Sequence, residues 1–164
     1  MFKFEKLVFG DLGWGDEFLF ATLMTITVSI LSMGLGLCLA IVTVWAKLIT
    51  NKITRLIANF YTTVVRGVPE LLVIYLIFFG GNTVVMSIAK LFGYNGYIEL
   101  NALTIGTIAI AFISATYSSE VLRAAYLAVN KGQIEAAKAL GLNKFQIFFK
   151  VMGPQILRHA LPGI

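Results

Sequence analysis

Residues 131–154 read KGQIEAAKALGLNKFQIFFKVMGP, the one long polar-faced segment between strongly apolar ones. Glu135 to Leu140 are good helix formers, and Gly141 supplies a left-handed stop. Asn143 restarts the chain as an N-cap, and Gln146 three residues later completes a capping-box pattern. The second helix is expected over Lys144 to Met152, ended by Gly153-Pro154 because proline has no N–H to donate within a helix. Two short helices of this kind suit a docking surface. The adjacent Ala136 and Ala137 let a partner approach closely, and Glu135 offers one charge for orientation.

The chain on either side is built for a different solvent. Apolar residues make up 59% of the sequence and charged residues 13%, about half the charged share of a globular domain. A soluble domain of this size cannot hide so much apolar surface, so the solvent is lipid. The net charge of +5 does not argue for nucleic acid, because its lysines and arginines collect on one side of the expected membrane. One histidine and one cysteine argue against a metal site built on those residue types. Cys38 lies in an apolar run and permits no internal disulfide.

Outward from the central stretch, a span is expected over about 101–126, ending near Lys131. After Pro154, QILRHALPGI begins a fourth span. Residues 81–100 carry turn signals at Gly81-Asn82 and Tyr94-Asn95-Gly96 and are expected to form an outer loop with a short amphipathic helix. The second span has two readings. The favoured one runs from about Leu56 to Gly80 and places Arg66 near the middle of a ~30 Å core, with Gly67 and Pro69 bending the helix. The other starts the span after Glu70 and leaves 56–70 at the cytoplasmic face.

Lys47, Lys52 and Arg55 occur with no acid among them, which marks a cytoplasmic loop and puts the N-terminus outside. The first span, Phe18 to Ala46, carries no charge and exceeds the ~20 residues needed to cross. Trp14 and Trp45 stand at its two interfaces. Ser29, Ser32, Gly34, Gly36 and Ala40 form a small-residue stripe, read either as a close helix contact or as a pathway lining. Residues 1–17 are turn-rich and acidic, an extracytoplasmic segment. Lys3 and Lys6 hint at a signal peptide, but the acids and the length of the following apolar run argue against cleavage.

Glu135-Ala136-Ala137, Gly141 and Val151-Met152-Gly153-Pro154 together resemble the EAA loop of ABC importer permeases, E-A-A-x3-G-x9-I-x-L-P, with every spacing kept. Val151 stands for isoleucine and Gly153 for leucine. The likeness extends from Tyr61-Thr62-Thr63-Val64-Val65-Arg66-Gly67-Val68-Pro69 to Ala160-Leu161-Pro162-Gly163-Ile164, and is strongest to the Q-type membrane subunits of histidine/lysine/arginine/ornithine and octopine/nopaline permeases. It implies a type I ABC transmembrane domain over 18–164: an all-α integral membrane fold with about four of five spans present and a cytoplasmic coupling loop at 131–154. It also implies a bacterial inner-membrane location and transport of polar, basic amino acids by alternating access. The implied partners are an ATPase that binds ATP and Mg²⁺, a second permease subunit (an M-type paralogue or another copy), and an extracytoplasmic substrate-binding protein. Glu135, Ala136, Ala137, Gly141 and Pro154 are the expected ATPase-coupling residues.

Four charges are expected to matter in the pathway. Arg66 either pairs with Glu70 at i+4, meets a substrate carboxylate, or is a plain cytoplasmic charge. Glu120 either pairs with Arg123 at i+3 or faces the pathway and attracts a cationic side chain. His159 is read as a surface or packing residue. No glycine-rich phosphate loop or nucleophile–base constellation is present, so ATP hydrolysis belongs to another subunit. The competing readings are a secondary transporter or channel using Arg66 and Glu120, and an inactive truncated permease that serves only as an interaction protein.

Overall fold

The computed structural model describes residues 13–94, 96 and 101–164 of the protein. Most of the expected segment 1–17, and part of the expected turn at 94–96, lie outside the described residues. The structure is 87% helical without strands among the described residues, as the composition requires of a chain in lipid. In order it comprises α1 (Gly15–Leu48), α2 (Lys52–Gly67), α3 (Glu70–Leu91), α4 (Ala102–Ala128), α5 (Lys131–Ala139) and α6 (Lys144–Gln146). A π-helical segment (Ile147–Met152), α7 (Gly153–Ala160) and a 3₁₀ turn (Leu161–Gly163) follow. Helices α1, α3 and α4 are long and apolar enough to cross a membrane.

Four of these helices start on asparagine. Asn51, Asn101 and Asn130 accept the backbone N–H two residues on, at 2.8–2.9 Å. At Asn143 the capping box is reciprocal: Asn143 Oδ1 accepts from Gln146 N–H at 2.9 Å, and Gln146 Oε1 accepts from Asn143 N–H at 3.0 Å. Two helices stop on glycine. Gly93 and Gly141 have φ of +83° and +75°, and each is followed by a residue whose N–H reaches back five positions, Tyr94 to Ala89 and Leu142 to Ala137. That geometry needs a residue without Cβ strain.

The α1–α4 seam is the core of the bundle. Half of the apolar window of α4 is buried, against 17% for α1 and 6% for α3, so α4 is the central helix and the others face lipid. Ser32, Gly36, Ala40, Thr43 and Lys47 form the buried stripe of α1. Ser32 Oγ donates to Thr107 O at 3.2 Å, and a Cβ on Gly36 would lie 3.2 Å from Ala111 O and Ser114. Contacts keep a nearly constant sequence offset, 75 residues at Ser32–Thr107 and 73 at Lys47–Glu120, so the two helices run parallel. Of the expected small residues, Ser29 and Gly34 face outward instead. Hydroxyls on the lipid side are satisfied within α1: Thr22, Thr25, Thr27 and Ser29 each donate to the carbonyl four residues back.

Parallel neighbours require a return crossing, and α3 supplies it. The favoured Leu56–Gly80 span is corrected here. Val68, forced extended by the proline after it, has φ −106° and ψ 141° and ends α2. The crossing helix then begins at Glu70 and runs to Leu91. Arg66 therefore sits in the last turn of α2, not in the middle of a span. The expected outer loop from residue 81 also shortens, because Gly81-Asn82 lies inside α3. Two glycines cost a helix only about 1 kcal/mol each, and the apolar residues around them keep it intact.

The expected stop at Gly153-Pro154 does not occur either. Ile147–Met152 winds with a wider turn in which Gly153 N–H donates to Phe148 O, five residues back. Pro154 then falls in the first turn of α7, where its missing N–H breaks no bond. Gly153 belongs to this geometry, since a Cβ there would lie 3.0 Å from Phe148 O.

Candidate substrate pathway and coupling surface

Lys47 is the residue that composition misplaced. Its place in a positive run marks it as a loop charge, yet its side chain is 2% exposed and its ammonium bonds Glu120 Oε1. A second bond goes to Thr62 Oγ1 at 2.7 Å. Thr62 can accept because its own proton points back to the carbonyls of Ala58 and Asn59. One buried cation thus ties α1, α2 and α4. The signal was present in the sequence: Lys47 continues the helical spacing of Ser32, Gly36, Ala40 and Thr43, so it shares their buried face.

Glu120 is about one-third exposed and faces a cavity of roughly 390 Å³ lined also by Thr62, Thr63, Arg66, Gly67 and Tyr117. The Arg66 guanidinium lies 5.3 Å from the centre of the Tyr117 ring, in cation–π range. Tyr117 also lines a second cavity of about 280 Å³, with Glu70, Ser114 and Ser118. Tyr61 pins α2 beneath these cavities: its hydroxyl donates to Phe112 O at 2.6 Å, and burial pushes its pKa up to about 12.

The intrahelical ion pairs, one of the readings open for Arg66 and one for Glu120, do not form. Among the described residues no salt bridge joins Arg66 to Glu70 or Glu120 to Arg123. The break at Val68-Pro69 removes the helical turn that would have brought Arg66 and Glu70 together. Arg123 lies on the exposed face of α4, and Glu120 turns toward Lys47. Arg66 and Glu120 do share one cavity, whereas Glu70 lines the other. His159 is exposed, as expected.

The α5–α6 pair forms a knobbed surface at the end of α4. Glu135 and Ala136 are exposed, but Ala137 is turned inward at 4% exposure, against Val129, Ile147 and Met152. Only one of the two alanines is therefore open to a partner. Leu140 and Phe145 stand out at 81% and 70% exposure, and Phe145 packs on Phe149 with ring centres 4.4 Å apart and planes tilted by 44°. Gly141 turns the chain between them, while Pro154 is exposed at the start of α7. Such large apolar side chains at the polar end of a bundle mark an interaction surface.

Three helices long and apolar enough to cross a membrane, a polar cavity beside the central one and a helix pair at its end are the architecture of an integral membrane permease. The chain belongs to the family of binding-protein-dependent transport system inner membrane components, whose pattern matches residues 32–164. It is 47% identical over 159 residues to the nopaline transport system permease protein NocQ of Agrobacterium fabrum, covering 96% of this chain and 67% of that one. It is 41% identical over 160 residues to the octopine transport system permease protein OccQ of Rhizobium meliloti, covering 98% and 68%. It is 36% identical over 152 residues to the histidine/lysine/arginine/ornithine transport system permease protein HisQ of Escherichia coli, covering 93% and 66%. Among solved structures it resembles the crystal structure of an amino acid ABC transporter with histidines, with a TM-score of 0.65 and 31% identity over 85% of this chain and 60% of that one. The chain thus spans about two-thirds of the length of these relatives. The relatives named here are permease proteins of nopaline, octopine and histidine/lysine/arginine/ornithine transport systems, and such permease subunits are not themselves enzymes.

Proposed function

We infer that this chain is the membrane subunit of an ABC importer that moves polar, basic amino acids by ATP-driven alternating access. The reading places the chain in a bacterial inner membrane, with the start of α1 outside and the link after Leu48, the start of α2 and residues 131–150 in the cytoplasm. Partner ATPases bind ATP and Mg²⁺ and grip the α5–α6 pair through Glu135, Ala136 and Gly141. A second permease subunit completes the pathway, and an external binding protein delivers the substrate. In the cavity Arg66 meets the substrate carboxylate and Glu120 its cationic side chain.

One observation carries this reading. Helix α4 holds Glu120 on the cavity and passes through Val129-Asn130 into α5. Val129 and Asn130 are an extended two-residue link between the helices, and Val129 is packed against Ala137 and Ile147, so a push on the docking helices reaches α4 through that short, packed joint. The test is uptake by the native-length protein, co-expressed with its ATPase and second permease subunit and reconstituted into vesicles. L-Arginine uptake should require ATP on the cytoplasmic side and a functional ATPase. Uptake driven by an ion gradient without ATP would overturn the reading.

A further inference from the structure

The Lys47–Glu120 contact is asymmetric. Lys47 approaches from the buried seam and occupies Oε1, while Oε2 accepts no hydrogen bond among the described residues and Glu120 borders the cavity. The ammonium and carboxylate offset each other, which leaves Arg66 as the other charged group lining this cavity. With α1 and α4 closed on each other, the cavity therefore suits a carboxylate and does not favour a cation. Glu120 gains its full attraction for a cationic side chain only when Lys47 is withdrawn.

The geometry points to Lys47 as an internal competitor for the substrate's cationic group, entering Glu120 as the α1–α4 seam closes and expelling the substrate from it. Lys47 is then a specificity and release residue that acts through Glu120. Thr62 holds it in position, because its hydroxyl is the second acceptor for the ammonium at 2.7 Å. The inference rests on the importer reading and adds to it a means of changing affinity during the cycle. A resident cation also keeps Glu120 compensated when no substrate is present, sparing the pathway an unpaired charge at membrane depth.

The experiment uses the native-length complex in vesicles and compares L-arginine with L-citrulline, a neutral analogue of nearly the same shape. Lys47→Met should lower the KM for arginine by roughly five- to tenfold and lower kcat, because binding tightens while release slows. The ratio of the arginine KM to the citrulline KM should fall by a similar factor, because citrulline carries no cation for Lys47 to displace. Thr62→Val keeps Lys47 but removes its second acceptor, so it should shift arginine in the same direction by a smaller factor. It also stands in if Lys47→Met fails to assemble. Equal changes for arginine and citrulline in both variants would make Lys47 a structural cross-link and overturn the proposal. Absence of arginine uptake by the unmutated complex would remove the importer reading and the proposal together.

Discussion

Gly36 faces Ser114 across the α1–α4 seam with so little room that a Cβ on Gly36 would lie 3.2 Å from both Cβ and Oγ of Ser114. Gly34, two residues earlier and therefore about 200° around the helix, has nothing within 4 Å. The pair makes a direct test of which face of α1 is packed. Gly36→Val should destabilise the detergent-solubilised protein by about 1–3 kcal/mol, whereas Gly34→Ala should stay within about 0.5 kcal/mol of the parent. Thermal unfolding in one detergent measures both. Equal effects would refute the packed seam.

Glu120 and Lys47 form a compensated pair, so their stability effects should not add. Glu120→Gln leaves a buried ammonium without its counterion, a loss of about 3–5 kcal/mol for a buried pair, reduced here because Glu120 is one-third exposed. Combining it with Lys47→Met should recover most of that loss. The four proteins of this cycle are compared by thermal unfolding. Additive losses would mean that the contact contributes nothing.

Gly141 at φ +75° predicts a graded series. Gly141→Asn, a residue that tolerates the left-handed region, should keep ATPase co-purification, and Gly141→Val should abolish it with membrane insertion intact. Retention of the ATPase by the valine variant would dissociate this turn from docking.

The capping box predicts a local effect. Asn143→Ala should cost about 1 kcal/mol and should appear as faster amide exchange at Gln146, whose N–H bonds Asn143 Oδ1 at 2.9 Å. Unchanged exchange at that amide would contradict the cap.

Orientation is tested by single-cysteine labelling in a Cys38→Ala background, since Cys38 is itself exposed on the bundle surface. A cysteine at Asn143 should resist an impermeant reagent applied to intact cells and react once the membrane is opened. Labelling from outside would invert the assigned topology.

Local chemistry was legible in the sequence and long-range register was not. The Gly141 stop and the Asn143–Gln146 box follow from residue types a few positions apart, and both are present. Part of the small-residue stripe is legible for the same reason, through the period of a single helix. The Lys47–Glu120 contact joins residues 73 positions apart, and nothing in a charge count distinguishes a snorkelling lysine from a buried one. The Arg66–Glu70 spacing misled because the helix, expected to bend at Gly67 and Pro69 with the pair still bracing it, ends at Gly67 and restarts at Glu70. The extent of α3 was hidden by glycines that a helix tolerates when its neighbours are apolar. Gly153-Pro154 misled because a π turn leaves no mark in the residue pattern.

That π turn has a bearing on azimuth. Each residue of an α-helix advances the chain by 1.5 Å and rotates it by about 100°. The extra residue accommodated between Ile147 and Met152 therefore decides which face of α7 meets α4, where Ala160 is fully buried and Gly163 lies against Val121. Deleting one residue there would leave a sound helix pointing Ala160 away from its seat. The docking helices and the helix that follows them are thus indexed to each other like teeth on a gear, and the index is held by the geometry of a single turn.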